Sequence, residues 1–322
     1  MILFRILMKN ILVTGGNGYK GTVLIPRLLK KGFKVRSIDT NWFGDYLEDH
    51  PNLEKYHIDI RNLTIDLFND IDVVIHLANI ANDPAVELNP LLSWEVNVLS
   101  SYKIANFAKK SNVKSIIFAS SGSVYGLSDE ERVTENAELV PISEYNKTKM
   151  IAERVFLSFK NDMKIYCVRP ATVCGVSPRM RLDVSVNILT YSALKNNLIK
   201  VFGGAQVRPN IHIDDICSVY EFFIENGEID SGCFNAGFEN ISILDIAKLV
   251  QKKLPDSKLV IEGSNDPRSY RQCSDLLIKL GFKPEKNVSN AIDEIISAYK
   301  NKELYDGDNA YTVKTLKNLG IK

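Results

Sequence analysis

An apolar run, Ile11-Leu12-Val13, stops at a cluster of glycines and is followed by Val23, Leu24, Leu28 and Leu29 at helical spacing. That order reads strand, tight turn, helix. Gly16-Asn-Gly18-Tyr-Lys-Gly21 fits G-x-G-x-x-G in the context that gives the pattern a physical meaning. Glycines let the backbone approach a pyrophosphate, and the helix N-terminus offers free N–H groups and the positive end of its dipole. A glycine-rich turn of purely structural use fits the same residues, so the reading depends on the rest of the chain.

The next residues repeat the unit. Lys34-Val-Arg-Ser-Ile-Asp39 reads as a second strand ending in an acid, about 20 residues beyond the glycines, where a carboxylate binds the ribose hydroxyls of an adenosine. Asp39 would repel a 2′-phosphate, and Thr40-Asn41-Trp42 supplies no arginine to receive one, so NAD is expected rather than NADP. Residues 52–60 form a further strand, leading to Asp59-Ile-Arg61, and 72–78 a buried strand ending at small residues. A long helix spans roughly 90–110, and Ser115-Ile-Ile-Phe-Ala-Ser-Ser121 is the next strand. Short apolar strands alternating with helices specify a doubly wound parallel α/β sheet whose ligands lie outside the carboxyl ends of the strands. Ala78, Asn79, Ser120 and Ser121 fall at such ends. His76, inside an apolar strand, is read as structural.

Composition removes several alternatives. Of 322 residues, 40 are Lys or Arg and 39 Asp or Glu, for a formal charge of +1. With no basic block, nucleic acid is not an expected partner. No apolar run has the length of a membrane span. The N-terminal Met1-Ile-Leu-Phe-Arg-Ile-Leu-Met8 runs into the first strand without a small-residue cleavage site, so it is not read as an export signal, and Met8 is an alternative start. Cys167, Cys174, Cys217, Cys233 and Cys273 show no C-x-x-C spacing and no paired framework, which fits reduced, buried thiols in a cytoplasmic protein. No metal-ligand set is visible.

Nine stretches in order then carry a resemblance: residues 14–21, Asp39, Asp59-Ile-Arg61, His76-Leu-Ala78, Asn97 in Val-Asn-Val, Ser120-Ser-Gly-Ser-Val-Tyr-Gly126, Tyr145-Asn-Lys-Thr-Lys149, Arg169-Pro-Ala-Thr-Val-Cys-Gly175 and Arg208-Pro-Asn-Ile-His-Ile-Asp-Asp215. The chain resembles the extended short-chain dehydrogenase/reductase family, in its NAD-dependent epimerase/dehydratase branch acting on nucleotide sugars. The resemblance implies a Rossmann-like NAD-binding domain over 1–172 and a smaller, mainly substrate-binding α/β lobe over 173–322, with some segments returning to the Rossmann sheet. It implies NAD held by Gly15, Gly18, Tyr19, Lys20, Gly21 and Asp39 on the first half of the sheet. Asp59, Ile60, Leu77, Ala78 and Asn97 come next, with Tyr145 and Lys149 at the reacting end.

Following the family, Tyr145 is the general base, Lys149 tunes it and holds the cofactor ribose, and Ser121 orients the sugar hydroxyl. The spacing supports this independently, because residues at i and i+4 share one helix face. A lysine and a positive nicotinamide ring beside the phenol would both favour phenolate. Ser123, Thr172, Arg179, Asn187, Arg208 and Arg268 are the expected substrate contacts, with the arginines on a diphosphate. A homodimer is expected, formed through the helices that contain Asn97 and Tyr145.

Departures from the family pattern narrow the reaction. Dehydratases of the family follow the catalytic Ser or Thr with an Asp-Glu pair, whereas this chain has Gly122-Ser123. Dehydration, and decarboxylation that relies on the glutamate, are therefore disfavoured. NAD-dependent nucleotide-sugar epimerisation through a transient 4-keto sugar is the leading expectation. A 4-dehydrogenase or 4-ketoreductase is the second, and a noncatalytic NAD-binding regulator is disfavoured because Tyr145 and Lys149 are both present. Lys20 stands where the family generally has an apolar residue, and is open between reaching a phosphate and lying at the solvent edge. Thr172 and Cys174 replace an Asn and an aromatic, which puts the sugar pocket in question. Residues 243–254 and 291–299 are amphipathic packing helices, and the tail after Lys300 has no assigned role.

Overall fold

The computed structural model describes residues 9–128, 130–263 and 269–322. The segment Met1 to Met8, with the question of the start, lies outside them. The chain first lays down β1 (Asn10–Thr14), α1 (Gly21–Lys30), β2 (Lys34–Asp39), β3 (Leu53–His57) and β4 (Val73–His76). A short α2 (Asp83–Val86) precedes α3 (Pro90–Trp94), which runs through a π-helical turn at Glu95–Leu99 into α4 (Ser100–Lys110). Then come β5 (Ser115–Ala119), α5 (Glu144–Leu157) and β6 (Lys164–Pro170).

Strands β1, β4 and β5 are buried almost throughout, as parallel strands covered on both faces must be. One face packs on α1 through Leu24, Ile25 and Leu28, and the other on α4 and α5 through Ile104, Ala108, Ala152 and Phe156.

The second half begins with β7 (Thr172–Cys174), α6 (Ser185–Asn196), β8 (Leu198–Phe202), β9 (Val207–His212) and α7 (Ile213–Glu225). It continues with β10 (Gly232–Ala236), β11 (Glu239–Ser242), α8 (Ile243–Lys253), β12 (Lys258–Glu262), α9 (Asp275–Lys279), α10 (Val288–Lys300) and α11 (Thr312–Asn318). The main sheet has seven strands in the order β10-β6-β5-β4-β1-β2-β3, every neighbouring pair parallel. It is a Rossmann-like α/β fold. β10 returns from the second half to this sheet, and α7 packs beside α1 through Ile216, Tyr220 and Phe223. The smaller lobe holds a three-stranded sheet, β11-β9-β7, and a two-stranded one, β12-β8, around a core shared with α6, α8 and α10.

Two features position the cleft. Strand order reverses between β1 and β4, which opens a crevice at their carboxyl ends. The tail after α10 then comes back across it. Leu182 N donates to Ala310 O (2.9 Å), Asn309 Nδ2 to Phe43 O (2.7 Å) and Thr312 N to an Asp183 carboxylate oxygen (3.0 Å). Leu316 is buried with the core on the α4 and α5 face, so the tail is part of the Rossmann lobe's packing.

Candidate active site

A cleft of about 430 Å³ opens at the switch point, between the carboxyl ends of β1, β4 and β5 and the first residues of the second lobe. Its floor is the glycine turn. Gly15 takes φ +78°, and a Cβ there would stand 2.6 Å from Ala78 N, so this turn is pressed onto the end of β4. A Cβ on Gly21 would meet the Gly15 carbonyl at 2.4 Å, which fixes how closely α1 approaches β1. No side chain caps α1 and no acid sits in its first turn; the Thr22 amide bonds back to Gly18 O (3.1 Å) and the Leu24 amide to Lys20 O (2.9 Å), closing the turn onto the helix. Tyr19 turns away, donating to Gly175 O (2.7 Å) and accepting from Asn187 (3.1 Å), which ties the turn to the second lobe.

Just outside the cleft lining, beyond its Trp42 and Phe43 end, Asp39 accepts amide N–H bonds from Asn17 (2.9 Å) and Asn41 (2.8 Å). Burial raises its pKa, against the pull of those amides and of Arg179. Arg179 arrives here from the loop after β7, with its guanidinium 3.9 Å from the centre of the Phe43 ring and 3.4 Å from the Thr312 hydroxyl. It is 3% exposed and its Nε has no partner. Burial and then the neighbouring Arg181 lower its pKa to about 10. The sequence pattern assigned Arg179 to a substrate diphosphate; the structure sets it among the residues around Asp39.

At the other end, Ser121 follows β5 and its hydroxyl is 2.7 Å from that of Ser123. Tyr145 sits in the first turn of α5, which Ser143 caps, and its phenol lies beside Ser121 in the cleft wall. Burial pushes this phenol up to about 12; Ser121 and the charge of Arg181 oppose the rise, and Asp83 adds to it. Lys149 is not among the groups that shift this phenol here. The Lys149 ammonium is committed elsewhere, donating to Ala119 O (2.6 Å) and lying 4.8 Å from the centre of the Phe118 ring. Burial, then the nearby Lys20, push Lys149 well below the usual lysine range, against Glu153.

A buried ion pair fixes this wall from behind. Arg169 donates to both Glu153 carboxylate oxygens (2.9 and 2.8 Å) and to Tyr125 (2.8 Å), while Ser120 donates to Glu153 (2.5 Å). The pair thus locks the end of β5, the helix that carries Tyr145, and β6 into one arrangement. Behind Ser121, a Cβ on Gly122 would stand 2.9 Å from Gln272 Oε1 and 3.2 Å from the Tyr270 hydroxyl, so a side chain there would require those two side-chain ends to shift.

Gly15, Gly18, Tyr19, Lys20, Gly21, Leu77, Ser121, Ser123, Tyr145, Lys149, Thr172, Arg179 and Arg208 all line this cleft. The other expected residues stand behind it. Asp59 caps the turn at Ile60–Asn62 and pairs with Arg61 (2.9 Å), while Ile60 lies in the core. Ala78 backs Gly15. Asn97, in the π-helical turn, bonds the Ile80 N–H (2.9 Å) and carbonyl (3.2 Å) and Thr148 (3.1 Å), joining the loop after β4 to the Tyr145 helix. Asn187 is fully buried and spends its amide on Gly175, Tyr19 and Arg181 O, so it supports the glycine turn instead of facing the cleft. Arg268 lies outside the described residues. His76 is buried against Thr14 (2.6 Å) and stacked on Phe118, in keeping with a structural role.

Sequence patterns missed the Arg181–Asp183 pair (2.8 Å), of which Arg181 is the cation that bears on Tyr145, and the tail residues Thr312 and Leu316 in the cleft wall. The basic stretch Pro178-Arg-Met-Arg181 was the available signal for the first; the tail offered none. In the second lobe His212, Asp214 and Glu294 converge, but Lys286 bridges the two carboxylates at 2.6 Å each, which makes the group an ion-pair cluster.

Comparison with known proteins fits this arrangement. A UDP-glucose 4-epimerase of Lactobacillus helveticus is 26% identical over 318 residues, covering 90% of this chain and 96% of that one. The solved UDP-glucose 4-epimerase of Thermotoga maritima superposes with a TM-score of 0.83 at 23% identity, covering 91% of this chain and 99% of that one. A dTDP-glucose 4,6-dehydratase of Streptomyces venezuelae, with NAD bound, superposes with a TM-score of 0.81 at 19% identity, covering 91% and 98%. The fold thus houses both reactions. The sequence profile of the NAD dependent epimerase/dehydratase family matches residues 11–237, most of the chain, and spans the glycine turn, Asp39 and the Ser121, Tyr145 and Lys149 set. The chain belongs to that family and is an NAD-dependent enzyme.

Proposed function

We propose that the protein is a nucleotide-sugar 4-epimerase working through a transient 4-keto sugar. The observation that carries the reading is that Ser121, Tyr145 and Lys149 line one cleft, with Gly122 and Ser123 standing where dehydration would need acids. The residues present fit NAD: a helix start at α1 with no side-chain cap and no acid, a buried carboxylate at Asp39, and no side chain over Gly18. Bound NAD supplies the hydride acceptor. Ser121 orients the sugar hydroxyl. Tyr145 takes its proton as the carbon is oxidised and returns it to the keto oxygen as the carbon is reduced from the other face. A phenol raised to about 12 by burial needs positive charge to act near neutral pH. That value already includes the pull of Arg181, so an oxidised nicotinamide ring would supply the further charge. Arg208 lines the substrate side of the cleft and is suited to a diphosphate.

Incubating the protein with a panel of nucleotide sugars, without added cofactor, tests the proposal. Isomerisation of one sugar at C4 is the expected outcome. No isomerisation, with added NAD consumed in proportion to substrate, would replace it by the second reading, a 4-dehydrogenase or 4-ketoreductase. A homodimer through the α3–α4 and α5 face is part of the proposal, supported by Leu91 (71%), Leu99 (65%) and Tyr102 (56%), all exposed there. The free cysteines, four of them buried, support a cytoplasmic setting.

A further inference from the structure

Lys20 is the cleft residue that the family pattern leaves without a role. It leaves the glycine turn along the wall shared with α7, where Nζ donates to the Tyr220 hydroxyl (3.2 Å) and lies 5.8 Å from the centre of that ring. Lys20 also lines the cleft. The titratable and charged groups around it are Tyr220 and Cys217 from α7, Lys149 from α5, and Arg181 from the loop after β7. None is a carboxylate, and among the described residues no acid pairs with Lys20. A partly buried ammonium beside two other cations is costly unless something in the cleft makes use of its charge.

Lys20 lines the cleft with Tyr145 and Lys149, and its hydrogen bond to Tyr220 directs the ammonium along α7; its charge bears on Lys149, which sets it at the reacting end. The Asp39 end has a separate cation, Arg179. At the reacting end the charge of the cofactor changes during the cycle. When the sugar C–H bond breaks, its two electrons and the hydrogen pass to the nicotinamide while the hydroxyl proton passes to Tyr145. The sugar is oxidised, the ring goes from positive to neutral, and the reverse transfer restores both.

We propose that Lys20 is an electrostatic positioning residue that favours the neutral, reduced nicotinamide over the positive, oxidised one and so stabilises the interval in which the keto sugar is held. A fixed cation beside the ring penalises the oxidised form alone. The inference rests on reading Tyr145 and Lys149 as the reacting end of the cleft, and deepens that reading.

The test is to equilibrate the full chain with equimolar NAD⁺ and NADH, with no sugar present, and to measure the ratio retained between pH 6.5 and 9.5 (roughly the window that brackets lysine titration here). Three proteins are compared: the wild type, Lys20→Met and Lys20→Arg. Lys20→Met should lower the NADH:NAD⁺ binding ratio by about tenfold, equivalent to about 30 mV for a two-electron couple, and Lys20→Arg should restore most of it. Burial, and then Arg181, bring the Lys20 pKa down to about 8, so the wild-type ratio should fall as the pH rises through that value, while the Met variant stays flat there. An unchanged ratio in Lys20→Met would overturn the proposal. So would an equal loss of affinity for both forms, which would make Lys20 a diphosphate anchor. The wild-type pH series decides the matter even if the Met variant folds poorly. Because no sugar is used, a protein that shifts the ratio yet isomerises nothing would refute the epimerase reading alone; one that isomerises with no shift would refute the role of Lys20 alone.

Discussion

The two walls of the cleft are built in different ways. The Rossmann wall is backbone-defined. Its glycine turn is pressed onto β4, Ser121 stands two residues past β5, and Tyr145 and Lys149 occupy one face of α5 beside the same strand. The facing wall is side-chain-defined. Arg179 rests on Phe43, Arg181 pairs with Asp183, and Asp183 in turn accepts the Thr312 amide from the tail. On the proposed reading, the residues that carry the chemistry stand on strand ends and helix starts, where the backbone leaves little freedom, whereas the facing wall is set by long side chains held by one another.

The largest effect is expected on the first wall. Tyr145→Phe should cut turnover about 10²–10⁴-fold, the range of a lost general base. The protein should still retain NAD, read by the absorbance of the purified protein and by steady-state assay. Unchanged turnover would remove Tyr145 from the mechanism.

On the second wall the expected loss is of stability. Asp183 is drawn down to about 2 by Arg181, against burial, so removing the cation leaves a buried, uncompensated carboxylate. Arg181→Met should destabilise the protein by about 3 kcal/mol in urea unfolding. Leu316→Ala, at the tail's buried contact with the Rossmann core, should cost about 2–4 kcal/mol in the same unfolding transition. An earlier, separate transition would show that the tail is not part of that lobe's cooperative unit.

Near neutral pH the smallest effect is a pH dependence seated under the first wall, which grows as the solution is acidified. Burial, and then the charge of Lys149, hold His76 neutral with its pKa lowered to about 3. The unfolded chain then binds the extra proton below pH 6.5, so stability is complete above about 6.5 and falls by up to about 1.4 kcal/mol per unit of acidification. His76→Gln should flatten that limb of the stability curve.

The same difference between the walls decides what the sequence discloses. The alternating strands, the glycine turn and the Tyr145–Lys149 spacing are local patterns, and the seven-stranded parallel sheet arises from them. The return of β10 to that sheet, the approach of Arg179 to the Asp39 region and the tail's crossing are tertiary facts with no local pattern to announce them. Asn187 shows the limit on a single residue. Its place in the chain suggested a ligand contact, but the Tyr19 hydroxyl and the Gly175 amide, each distant from it in sequence, take its amide group. Lys149 shows another limit: spacing places it beside Tyr145 on the helix, yet the Ala119 carbonyl decides where its ammonium points.

Departure and return of hydride at one sugar carbon within this cleft is tested most directly with a nucleotide sugar deuterated at C4 and the protein as purified, without added cofactor. The expected product is epimerised at C4 and keeps its deuterium there. Deuterium found instead in free NADH, with a keto sugar released and no epimer formed, would contradict the proposed reaction.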